Sequence, residues 1–185
     1  EDRGPLLGYP SLDGSPFRDA DGSLYLYHTA EFGSVDDQPG RPWRICPPAL
    51  DAPLSPGRIY VDRLTAPDKA AGRPRELIGL HPWQEGPVAL ARGGRYFLFY
   101  STGNWGDASY AVRWSVGQSP LGPFIEQPGA LLASSEQAIG PGHHNFFTGP
   151  DGGDWIIYHA WDPGHTARMP RIDRLTWRAG RPTTN

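Results

Sequence analysis

Three polar residues of this 185-residue chain recur at one place in a repeated pattern: Asp13, Glu85 and His143. Each stands 11 or 12 positions before an aromatic residue that opens a hydrophobic run, namely Tyr25, Tyr96 and Trp155. Two of the three are carboxylates. An acid whose proton is to be useful near neutral pH must be kept neutral, by burial or by a like charge beside it. If the repeat brings Asp13 and Glu85 together, Glu85 holds the proton and Asp13 helps to keep it there. Such a pair suits general-acid chemistry. Hydrolysis of a glycosidic bond needs one acid to protonate the leaving oxygen and a second carboxylate on the opposite face, about 6.5–9.5 Å away in inverting enzymes. Arg168 and His143 would line such a site and position the sugar. Trp105, in the loop Gly103-Asn-Trp-Gly-Asp107, offers a ring for stacking.

Each residue also has a plainer reading. Asp13 reads equally as a cap on the turn before Pro16, and Glu85 as a solvated acid at a strand end. Its neighbours Trp83 and Gly86-Pro87 make that a poor place for solvent. His143 reads as a buried, hydrogen-bonded histidine, and His144 and His159 as partners of strand backbone. The three histidines are spaced by 1 and 15 residues, which matches no zinc signature. The single cysteine, Cys46, excludes an intrachain disulfide and a cysteine-based zinc site. Asp19 and Asp21 read as turn formers.

The elements that must position these residues are short strands. The chain has 24 Gly and 21 Pro, together about twice their usual share, yet 38% of its residues are hydrophobic. No stretch free of both Gly and Pro exceeds ten residues, so helices of three turns scarcely fit while strands of about five residues fit everywhere. The composition predicts an all-β fold. Three segments read as hairpins, each a first strand, a Gly-rich reversal and an aromatic strand. Their polar residues lie 72 and then 58 positions apart, close to the period of a four-stranded unit. Third strands follow at Arg58–Leu64, across a proline-rich loop of residues 39–57, and at Tyr110–Val116. A four-stranded unit repeated in this way predicts β-propeller blades. Radial symmetry would bring Asp13, Glu85 and His143 to a common centre. Three blades leave a ring open, with exposed edges. Residues 1–185 are therefore expected to form about three four-stranded antiparallel blades of a larger propeller. A net charge of −3 gives no basic footprint for nucleic acid. No apolar run approaches the roughly 18–20 residues of a membrane span.

At this point the motifs carry a likeness. The sequence resembles glycoside hydrolase family 43, the five-bladed β-propeller enzymes of the arabinofuranosidase, β-xylosidase and arabinanase group. Asp13-Gly-Ser-Pro-Phe17 with Asp19, Asp21-Gly22 and Tyr25-Leu-Tyr27 is similar to that family's middle-blade motif. Glu85-Gly-Pro87 with Tyr96-Phe-Leu-Phe-Tyr-Ser101 resembles the motif of its general acid. Ser119-Pro-Leu-Gly-Pro-Phe124 resembles the turn that follows. Gly140-Pro-Gly-His143, Tyr158-His-Ala160, Arg168 and Trp177-Arg-Ala-Gly-Arg-Pro182 look like its last blade. The resemblance implies Glu85 as general acid and Asp13 as the residue that orients it and tunes its pKa. It also implies His143 near the central axis, often beside calcium, with no cofactor needed for the chemistry. Two departures stand out. Gly14 occupies a place where the family usually has proline, and the family's first two blades, with the aspartate that acts as general base, would lie upstream of Glu1.

The function implied is inverting hydrolysis of O-glycosyl bonds in arabinose- or xylose-containing plant polysaccharides. Gly-Pro-Gly-His-x-x-Phe-Phe and Tyr-His-Ala-Trp lean toward α-L-arabinofuranosidase over β-xylosidase. The expected partners are arabino- or xylo-oligosaccharides, with neither nucleic acid nor membrane, in an extracellular or periplasmic setting. The alternative is a non-catalytic sugar-binding or interaction propeller, or an inactive chain lacking the base. Asp107 and Asp162 are the fallback candidates for that base.

Overall fold

A computed structural model of the chain describes residues 4–31, 54 and 57–184. Every regular element among them is a β-strand. The first sheet holds β1 (Ser11–Arg18), β2 (Leu24–Ala30), β3 (Ile59–Ala66) and β4 (Lys69–Ala70), with β5 (Arg75–Ile78) also paired to β3. The second holds β6 (Gln84–Arg92), β7 (Arg95–Thr102), β8 (Ala111–Gly117) and β9 (Phe124–Glu126). The third holds β10 (Ile139–Thr148), β11 (Asp154–Trp161), β12 (Arg168–Arg178) and β13 (Arg181–Thr184). All pairings are antiparallel. The fold is all-β, an incomplete propeller. Its first blade departs from the expected four strands: β4 is only two residues long, and β5 pairs with the other end of β3. The proline-rich loop expected over residues 39–57 lies outside the described residues, apart from Leu54 and Gly57.

The hairpins form where turn chemistry allows. Between β6 and β7, Arg92 pairs with Arg95, so Gly93-Gly94 is the whole reversal. Both glycines have positive φ, as the two-residue turn that matches strand twist demands. Blade stacking explains the unbroken apolar run of β7. Phe97 and Phe99 pack toward the third blade with Val112, Trp114, Ile156 and Tyr158. Leu98 and Tyr100 pack toward the first with Tyr25, Tyr27, Ile59 and Val61. A strand buried on both faces has no need to alternate. β11 does alternate: Ile156, Tyr158 and Ala160 are buried, whereas Ile157 is 42% exposed.

Polar ties reinforce the stacking. The Tyr27 hydroxyl donates to the Pro120 carbonyl at 2.7 Å, and the Tyr96 hydroxyl to Asp19 at 2.7 Å, both joining the first two blades. Arg92 and Asp154 pair at 3.1 Å between the second and third.

Candidate active site

The first strand of each blade is interrupted at the same depth. Register slips between Leu12 and Ser15 in β1, between Glu85 and Val88 in β6, and between Gly142 and Asn145 in β10. Two residues there oppose one, which is a β-bulge, and bulges re-aim side chains beside functional sites. In each bulge one residue is left-handed: Asp13 at φ 57°, Gly86 at φ 59° and His143 at φ 51°. For the two that carry a Cβ, this backbone costs about 1–3 kcal/mol each.

The bulges correct one expectation. Asp13 and Glu85 do not occupy equivalent positions: Asp13 aligns with Gly86 and His143, whereas Glu85 aligns with Leu12 and Gly142, one residue earlier. The spacing of 11 residues against 12 does not record that offset, which alone would lengthen it; it reflects the two-residue reversal at Gly93-Gly94, shorter than the turn between Arg18 and Leu24.

The bulges bring Asp13 and His143 together. One Asp13 carboxylate oxygen accepts the Gly86 N–H at 2.8 Å, and the other lies 3.7 Å from His143 Nε2. The Asp13 carboxyl is pushed above the usual range for aspartate. Burial is the largest cause; the Gly86 N–H and the His143 ring pull the other way, and the charge of Glu85 adds to the rise. Both residues line a cavity of about 310 Å³ with Gly14, Pro87, Asn145 and His159 among its walls. Glu85 does not line this cavity; the chain one residue beyond it does.

Glu85 is fixed from two sides. The Trp83 indole N–H donates to Oε2 at 2.7 Å, and the Tyr110 hydroxyl donates to Oε1. Tyr110 is fully buried, and burial together with the Glu85 hydrogen bond holds its phenol well above the ordinary range. Sequence reasoning gave Tyr110 only a strand. Register across the second blade was the available signal: Ser101 pairs with both Glu85 and Val112, which sets Tyr110 near the acid. Ser101 Oγ in turn accepts the His143 N–H at 2.8 Å, so the second and third blades meet directly behind the site.

The remaining candidates fall in two places. The Arg168 guanidinium carbon lies 5.5 Å from the Trp105 ring centre and 5.7 Å from that of Tyr110. Trp105 is 55% exposed. His144, expected to bond strand backbone, does not: both ring nitrogens are buried without partners, and burial pushes its pKa down to about 3. Asp107 and Asp162 stay in loop hydrogen bonds with Ser109 and Thr166. A calcium ion takes six to eight oxygen ligands. Among the described residues no group of three or more His, Cys, Asp or Glu side chains stands close enough to hold a metal. Among the described residues, the Asp13 carboxylate and the His143 imidazole alone do not make up a calcium site, whose ligands also include carbonyls and waters.

The sequence model of glycosyl hydrolases family 43 matches residues 2–182. The chain belongs to this family. A β-D-galactofuranosidase of Aspergillus niger is 43% identical over 97 residues, which is 49% of this chain and 28% of that protein. A β-xylosidase of Xylanibacter ruminicola is 27% identical over 173 residues, 84% of this chain and 50% of that protein. The crystal structure of a thermostable family-43 glycoside hydrolase aligns with a TM-score of 0.75 and 26% identity, covering 100% of this chain and 59% of its own. The family-43 chain described here thus spans half or less of the two relatives it matches.

Proposed function

We propose that the protein is a glycoside hydrolase in which Glu85 is the general acid and Asp13 the carboxylate that holds it in its working state. The observation that carries this reading is the pinning of Glu85 by Trp83 and Tyr110, with half-buried Asp13 nearby, in a family-43 chain. Each carboxyl oxygen has two lone-pair positions. Trp83 and Tyr110 take one on each, which leaves a second for the proton that goes to the leaving oxygen. Asp13 cannot drift from its place, because Gly86 N–H holds it from the neighbouring blade. Inverting hydrolysis also needs a base on the opposite face of the sugar, which the resemblance assigns to blades preceding β1.

The substrates proposed are arabinose- or xylose-containing saccharides, with α-L-arabinofuranosides favoured. The relative sharing 43% identity is named for a furanoside, β-D-galactofuranose. That ring has the configuration of α-L-arabinofuranose and differs by one exocyclic carbon. The test is Glu85→Gln in the full-length protein, assayed on an alkyl and an activated aryl arabinofuranoside. General-acid help is worth about 10²–10⁴-fold. The alkyl substrate is expected to lose that much, while the aryl substrate, whose phenol leaves without protonation, loses far less. Equal losses on both would remove Glu85 from the role. Unchanged sugar binding with no hydrolysis by either protein would favour a non-catalytic propeller.

A further inference from the structure

The segment between β5 and β6 carries the chain from the first blade to the second and delivers Trp83 to Glu85. Burial does little to hold its middle: Leu80 is 69% exposed, and Pro82 is exposed as well. Polar ties hold it instead. The Arg58 guanidinium donates to the His81 carbonyl, the Thr102 hydroxyl to the Trp83 carbonyl at 2.8 Å, and the Gln84 N–H to the Gly57 carbonyl at 2.9 Å. The His81 side chain makes a further tie. Its Nε2 lies 2.7 Å from a carboxylate oxygen of Glu126 in β9, the outermost strand of the second blade.

Glu126 is well anchored for that purpose. The Tyr100 hydroxyl donates to the same oxygen, and the Arg113 guanidinium lies 3.4 Å from the other. Tyr100 and Arg113 pair across β7 and β8, so three neighbouring strands meet at this carboxylate. Burial of Glu126 favours its neutral form. The hydrogen bonds from Tyr100 and His81, with the charges of His81 and Arg113, outweigh it and hold the carboxyl below the usual glutamate range. An ionised carboxylate only accepts, so His81 Nε2 is the donor. With side chains 23% and 17% exposed, the pair escapes most of the screening that weakens surface ion pairs.

We infer that His81 is a positioning residue for the acid: clasped to Glu126, it fixes the segment so that the Trp83 indole N–H meets Glu85 Oε2. The inference rests on Glu85 being the proton donor. Trp83 follows His81 by two residues, and the ring of Pro82 between them locks its φ. A displacement at His81 therefore passes on to Trp83. The Trp83 bond to Glu85 is 2.7 Å long, and a shift of about 1 Å takes a donor beyond hydrogen-bonding distance. Glu85 would then keep Tyr110 alone and gain freedom to turn.

The test follows the alkyl and activated aryl arabinofuranosides in the full-length protein. His81→Ala is expected to lower turnover of the alkyl substrate about three- to tenfold, within what one hydrogen bond to a charged group supplies, and to leave the aryl substrate within about twofold. His81→Gln, whose side-chain amide can still donate to Glu126, is expected to restore most of the loss. In a Trp83→Phe background His81→Ala is expected to add nothing, because the donor it positions is already gone; independent losses would multiply instead. A second readout needs no turnover. The Trp83 indole N–H, assigned in NMR spectra by its absence from Trp83→Phe, is expected to exchange with deuterium at least about tenfold faster in His81→Ala than in the native protein. Unchanged exchange would overturn the clasp whatever the kinetics. So would faster exchange with equal losses, or none, on the two substrates while Glu85→Gln keeps its split between them. Faster exchange with no split in either variant would instead overturn the acid assignment, and the catalytic part of the clasp with it, while the tether of Trp83 stands.

Discussion

Two donors hold Glu85: the Trp83 indole N–H on Oε2 and the Tyr110 hydroxyl on Oε1. Trp83→Phe is therefore expected to lower turnover of the alkyl arabinofuranoside about tenfold, the worth of one hydrogen bond to a charged group, and to leave the activated aryl substrate nearly unchanged. Asp13→Asn is expected to lower turnover with the fold intact, since asparagine tolerates the left-handed backbone at position 13 and still accepts from Gly86. Equal losses on both substrates in Trp83→Phe would show that its packing, not its hydrogen bond, serves the acid.

At the scale of elements, both donors to Glu85 sit on glycines. A Cβ on Gly142 would lie 2.0 Å from the Tyr110 ring, and one on Gly57 would lie 2.5 Å from that of Trp83. Gly142→Ala is expected to destabilise the protein by about 1–3 kcal/mol, as overpacking does, and to lower activity by moving Tyr110 off the acid. Gly8→Ala, where a Cβ meets nothing within 4 Å, is the control; urea titrations of the two variants measure the difference. The hairpins were legible in the sequence because Gly93-Gly94 and Asp21-Gly22 are local signals, and because a run such as Tyr96-Phe-Leu-Phe-Tyr100 states that both its faces are covered. The convergence of Asp13 and His143 was legible through the repeat. The one-residue offset of Glu85 was not legible, because the shorter reversal at Gly93-Gly94 hides it in the spacing and only the bulges reveal it. Tyr110 left no local trace, since its place at Glu85 comes from register across β7.

Across the whole molecule, two buried histidines set a pH limit. Burial pushes His28 down to about 4 and His144 down to about 3, while an unfolded chain titrates near 6.5. Between those values the unfolded state binds more protons, so stability is complete above about pH 6.5 and is lost as pH falls through the window. Each histidine contributes a slope of up to about 1.4 kcal/mol per pH unit. Denaturant midpoints measured from pH 7 to pH 4 are expected to fall accordingly, and His28→Gln to flatten the dependence. The two-sided burial of β7 carries a further consequence. Any opening that bares Phe97 and Phe99 dissolves the core shared with the third blade, and one that bares Leu98 and Tyr100 dissolves the core shared with the first. The strand has no private face on which to loosen. Its amides should therefore exchange with deuterium only through global unfolding, while those of β11, with Ile157 turned to solvent, exchange through smaller openings first.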